Sequence, residues 1–125
     1  MSFPGLPERN AIALQVAETL DAYEATLDEW LLDTGNLHLF GELSSQIEAA
    51  RVMSSSALPS ATGALTALLL AHTDLTCIVW KKAMTPVGEQ TDAQEQRLAA
   101  AIDRHRFTLS EMRLLCLRLS TRRCT

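Results

Sequence analysis

Apolar residues recur along most of this chain at alternating spacings of three and four, and no long stretch alternates apolar and polar residues as a strand would. In the first segment Ala13, Val16, Leu20, Tyr23, Leu27 and Trp30 form such a row, and Glu18, Asp21, Glu24 and Asp28 lie off it. A row with this spacing stays on one helical face, so it predicts an amphipathic helix over about 7–33. Pro7 suits the first turn, where its missing N–H leaves no bond unmade. Thr34 and Gly35 end the helix, with Gly35 expected in the left-handed region. A second helix is predicted over about 36–57, capped by Asn36, with Phe40, Leu43, Ile47, Ala50 and Ala57 on its seam. Ser54, Ser55 and Ser56 weaken its end and Pro59 stops it.

The third helix is predicted over about 60–84 with Ser60 as its cap. Leu65, Leu68, Leu69, Leu75, Ile78 and Val79 cover more than one of its faces, which predicts burial on more than one side. The fourth, over about 91–120, opens on Thr91-Asp92-Ala93-Gln94, the pattern of a capping box. Its seam is the most regular in the chain: Leu98, Ile102, His105, Leu109, Met112, Cys116 and Leu119, spaced alternately by four and three. Three short connections join four helices of similar length. Short loops make neighbours antiparallel, so the expected fold is an all-α, up-down-up-down four-helix bundle. The expected organisation is a single domain over 1–125 with short flexible termini, since 125 residues bury a core without a metal or disulfide staple.

Charge changes the picture in one respect. Residues 1–50 hold nine acids and one Arg, a net of −8, and residues 51–125 hold ten bases and six acids, a net of +4. The acidic first helix is therefore expected to lie beside the basic fourth, which carries Arg104, Arg106, Arg113 and Arg118. Phe107 is the one aromatic residue among these arginines and the whole chain is acidic, so nucleic acid is not an expected partner. The opening residues lack the basic and apolar regions of a secretory signal. Cys77, Cys116 and Cys124 are widely spaced, which argues against a disulfide framework. Both features lead to a cytoplasmic expectation. Residues 52–73 carry no formal charge, but the apolar run Ala64–Ala71 is too short, and too interrupted by Thr, His72 and Asp74, to be expected to span a bilayer.

Candidate chemistry is sparse. There is no G-x-S-x-G, no Gly-rich phosphate loop, no H-E-x-x-H and no paired Glu-x-x-His, so a non-catalytic protein without a cofactor is expected. Reflecting the chain through its predicted loops places His72, His105, Tyr23 and one of Ser44 or Ser45 at one level. The expected consequence is a polar layer across the bundle that fixes helix register. Two imidazoles in a bundle core also make these residues the candidates for a ligand or metal site. Cys116 and Cys77 read as small core residues, and Cys124, near Arg122 and Arg123, as an exposed thiol. His38 reads as a solvated or half-buried side chain. Trp30, Phe40 and Trp80 fall at one end of the bundle, with Lys81 and Lys82 beside them.

The fourth helix carries a second apolar row. Phe107, Leu114 and Leu117, with Ser110 and Thr121 between and after, lie nearly opposite the seam. A lone bundle would leave them in water, which is unusual for a monomer. They are the expected partner-binding residues of an interaction or regulatory protein that joins itself, as a homodimer, or another helical protein through its third and fourth helices. The alternative expectation is a sensor bundle that binds a ligand or metal at Tyr23, His72 and His105.

Overall fold

The computed structural model describes residues 5–121, and Arg122, Arg123 and Cys124 lie outside them. The chain forms α1 (Leu6–Leu32), α2 (Leu37–Ala57), α3 (Thr62–Met84) and α4 (Asp92–Ser120), with short 3-10 turns at Pro59–Ala61 and Val87–Glu89. There is no strand among the described residues. The four helices pack as an all-α four-helix bundle.

The helix starts follow from their capping residues. The Asn36 side chain accepts from the backbone N–H groups of His38 and Leu39, at 3.0 and 3.1 Å. Thr91 and Gln94 form the complete capping box at the head of α4. Two sequence expectations about helix ends are corrected. Ser60 caps nothing, because Pro59 draws residues 59–61 into a 3-10 turn and α3 begins after it without a side-chain cap. Gly35 is not left-handed, since no described glycine has positive φ. The chain leaves α1 instead through Asp33, whose N–H bonds back to the Trp30 carbonyl.

The seams read from sequence are the core. Ala13, Val16, Leu20, Tyr23, Leu27 and Trp30 of α1 are buried, as are Leu43, Ile47, Ala50 and Ala57 of α2, with Phe40 partly buried against them. On α4 the seam is fully buried from His105 to Cys116, while Leu98, Ile102 and Leu119 at its ends are partly open. The helix α1 packs extensively on α2 and α4, and α3 on α4, whereas α2 and α3 meet only lightly. At one end the α2–α3 gap is bridged by rings: Phe40 lies 5.1 Å from Trp80 and 5.8 Å from Trp30, centroid to centroid. The acidic α1 and basic α4 are joined by ion pairs, as their charges predict. Arg113 reaches both Asp21 and Glu24, and Arg106 reaches Asp28. On the other flank of α4, Arg104 pairs with Asp74 of α3.

Only one side of α3 is covered, which corrects the expectation of burial on several. Leu65, Leu68, Ala71, Leu75, Thr76 and Val79 face inward, while Leu70, Cys77, Trp80 and Met84 are exposed. Cys77 is nine residues from Leu68, half a turn away around the helix, so the apolar composition of α3 hides an outward position. Pro59–Met84 is long and apolar enough, by length and composition alone, to cross a membrane; in this fold it supplies one wall of the core. The two faces of α3 should separate in urea denaturation. Leu68→Ala is expected to lower unfolding free energy by about 2–5 kcal/mol, and Leu70→Ala by under about 0.5 kcal/mol. Equal losses would mean that Leu70 is packed.

Candidate functional site

Two groups of residues stand out from a plain helical core: the polar layer within it and the apolar row on the outer face of α4. The layer is built by three helices. Tyr23 comes from the middle of α1, His72 from the middle of α3 and His105 from the middle of α4. The Tyr23 hydroxyl lies 2.7 Å from His72 Nδ1 and 2.6 Å from His105 Nε2. The Tyr23 and His105 rings are nearly parallel, with centroids 5.5 Å apart. Tyr23 and His105 are wholly buried and His72 is half-buried.

A phenol has one proton, so Tyr23 donates to one imidazole and accepts from the other. His105 Nδ1 is buried with no partner. If Nε2 accepted the phenol proton, a neutral His105 would have to carry its own proton on that unpartnered Nδ1. An orphaned buried donor is rarer than an unfilled acceptor. The favoured chain is therefore His105 Nε2–H to Tyr23 oxygen, and Tyr23 O–H to His72 Nδ1. The expected serine is not part of it: no hydrogen bond joins Ser44 or Ser45 to either imidazole, and Tyr23 alone bridges the pair.

Burial sets the protonation of the layer. It is the main reason that His105 is pushed down from 6.5 to about 4, and the nearby His72 adds to the effect. Burial also lowers His72 and raises the Tyr23 phenol far above its usual value. All three groups are thus neutral at pH 7, and the layer holds hydrogen bonds rather than ions. Burial similarly pushes the Cys116 thiol up to about 11, which suits an inert core residue. A metal at this level would meet two imidazole nitrogens and one phenol, and would have to replace the proton that now joins them. Among the described residues no group of three or more His, Cys, Asp or Glu side chains converges to complete such a set. His38 is distant from the layer in sequence and stands exposed on α2, 3.2 Å from the Glu42 carboxylate.

The outer row of α4 lies where the sequence places it. Phe107 is 66% exposed, Leu114 50% and Leu117 40%. Leu70 of α3, the helix packed beside α4, is 67% exposed. With Ala67, Ala71, Asp74, Arg104 and Thr108 it lines an open groove between α3 and α4. Sequence reasoning missed Leu70, because on an apolar helix nothing local separates outward leucines from inward ones. A smaller cavity of about 250 Å³ opens at the loop end among Leu31, Val79, Leu98 and Ile102, with Lys82 and Gln90 at its edge. It accounts for the partial exposure of Leu98 and Ile102. Comparison of the chain with protein-family models, curated proteins and solved structures gives no significant match.

The layer makes two predictions. Tyr23→Phe leaves both imidazoles without their shared partner, and is expected to cost about 2–4 kcal/mol in urea denaturation with helicity retained. The second concerns pH. The folded state favours neutral His105, whereas the unfolded chain takes up a proton near 6.5. The contribution of His105 is complete above pH 6.5 and is lost as pH falls to about 4, by about 3 kcal/mol. A His105→Gln variant should lack that part of the decline. Identical slopes in the two proteins between pH 6.5 and 4 would show that His105 is not its source.

Proposed function

We propose that this chain is a non-catalytic interaction protein that docks a helix on the outer face of α4 and the adjoining groove of α3. The observation that carries the reading is the row formed by Phe107, Leu114 and Leu117. These large apolar side chains stand in solvent on the face opposite a complete seam. The core does not need them, since Leu109, Met112 and Cys116 already fill it. Burying such a row is favourable in proportion to the apolar area covered. Their spacing, with Ser110 and Thr121 included, is three and four by turns, which is what a partner helix packing along α4 requires.

The ion pairs support the same reading. Arg106 and Arg113 reach across to the acids of α1, and Arg104 to Asp74 of α3. The central arginines of α4 therefore serve the bundle itself. This leaves an apolar strip rather than a cationic one, and a docking helix fits it better than a polyanion does. Placing a photo-crosslinking residue at Ser110, inside the row, tests the reading. Irradiated cells are expected to yield a discrete adduct, reduced at least about tenfold when Leu114→Asp is added, with the circular dichroism of the bundle unchanged. The same residue at Ala49, on the exposed side of α2, should give none. Equal adducts at both positions, or an adduct indifferent to Leu114→Asp, would remove this face from consideration.

A further inference from the structure

We infer that the helix docked on α4 is α4 of a second copy of this chain, antiparallel and centred near Leu115. The inference rests on the reading of this face as a docking surface, and it is carried by the charges that flank the row.

The row extends on both sides as a heptad pattern: Ala100, Asp103, Phe107, Ser110, Leu114, Leu117 and Thr121, stepped by three and four. Its two flanks differ. On the flank toward α1, Arg106 and Arg113 are engaged by Asp28, Asp21 and Glu24. On the flank toward α3, Arg104 is held by Asp74, and next along the same line come Glu111 and Arg118. These two are exposed, and neither has an ion-pair partner among the described residues. They have opposite sign and stand seven residues apart, so they occupy equivalent places along the strip.

Two antiparallel helices related by a twofold axis bring this flank of one copy against the same flank of the other. Centred near Leu115, the pairing sets Glu111 opposite Arg118 of the second copy, and Arg118 opposite its Glu111. In the strip itself Leu114 meets Leu117 of the second copy, twice by symmetry. Ser110 meets Thr121, so hydroxyls close the ends of the apolar centre. The neighbouring registers are less favourable. Centring near Met112 would cover Phe107 with Leu117, but would set Glu111 on Glu111 and Arg118 on Arg104. Centring one turn earlier, between Thr108 and Leu109, would lay Leu114 over the Asp103 carboxylate, burying a charge under a leucine. A parallel pair would press Asp103 against its own copy. Like charges placed face to face reject a register as firmly as apolar contacts select one.

The test is sedimentation velocity of the full chain at low salt, over a range of concentrations, for the wild type, Glu111→Arg, Arg118→Glu and the double exchange. The wild type is expected to dimerise reversibly. Each single reversal should weaken the dimer by about tenfold, and the double exchange should return it to within about threefold of the wild type. Several results would overturn the inference. Tightening by Arg118→Glu would select the register centred near Met112. Indifference to both reversals would mean that these flanks do not face each other. A chain that stays monomeric at every concentration would exclude the second copy. The docking face is judged apart from this: a crosslinked adduct at Ser110 whose mass is not twice that of the chain leaves the face standing and rejects self-pairing, whereas the absence of any adduct rejects both.

Discussion

One hydroxyl ties this bundle together. A phenol buried in a helical core must find partners there, and the Tyr23 hydroxyl finds two, on two different helices. Both bonds form in one axial setting of α1, α3 and α4. A slip of a single turn, about 5.4 Å, would break both and leave a phenol and two imidazoles unpaired among leucines. Leucine and alanine seams tolerate such slips, because one apolar contact resembles the next. The polar layer thus supplies the specificity that the apolar seams lack, and the neutral state imposed by burial lets it do so without interior charge.

The ion pairs act on the same choice from outside. Asp21, Glu24 and Asp28 meet Arg113 and Arg106 along one groove, with each arginine opposite the acids that antiparallel packing brings level with it. Exposed pairs of this kind contribute little each, about 0–1 kcal/mol. Their value lies in direction: the acidic helix has reason to choose the basic one as its neighbour. Inner layer and outer pairs agree on one register, and agreement between levels is what singles out one packing among many.

Most of this architecture was legible in the sequence. Helix positions followed from the spacing of apolar residues, and the capping residues Asn36 and Thr91 marked two starts to within a residue. The His72, His105 and Tyr23 layer followed from counting back through short loops, because antiparallel helices keep level residues level. What failed to show were features without periodic expression. Leu70 and Cys77 point outward on a helix whose apolar content is nearly uniform, so no pattern told its faces apart. Ser60 looks like a cap, and the rigid φ of Pro59 gave its place to a 3-10 turn. A serine of α2 was expected in the layer by the same counting, yet the Tyr23 hydroxyl bridges both rings without one.

The light contact between α2 and α3 has a consequence for how the molecule opens. Of the four helices, α2 alone contributes nothing to the hydroxyl–imidazole network, and its extensive packing is with α1. The other three form a continuous unit, α1 to α4 to α3, crossed by that network and by the ion pairs. Free energy of opening is therefore distributed unevenly. The extensive packing runs in the order α2, α1, α4, α3, so α2 and α3 are each packed on one neighbour, and of these two α3 is the one also fastened by the Tyr23–His72 bond and the Arg104–Asp74 pair. Among whole helices, α2 is therefore the one expected to release first as a cooperative segment. This bundle is in effect an α1–α4 centre with α3 tied to one side by polar bonds and α2 packed along the other.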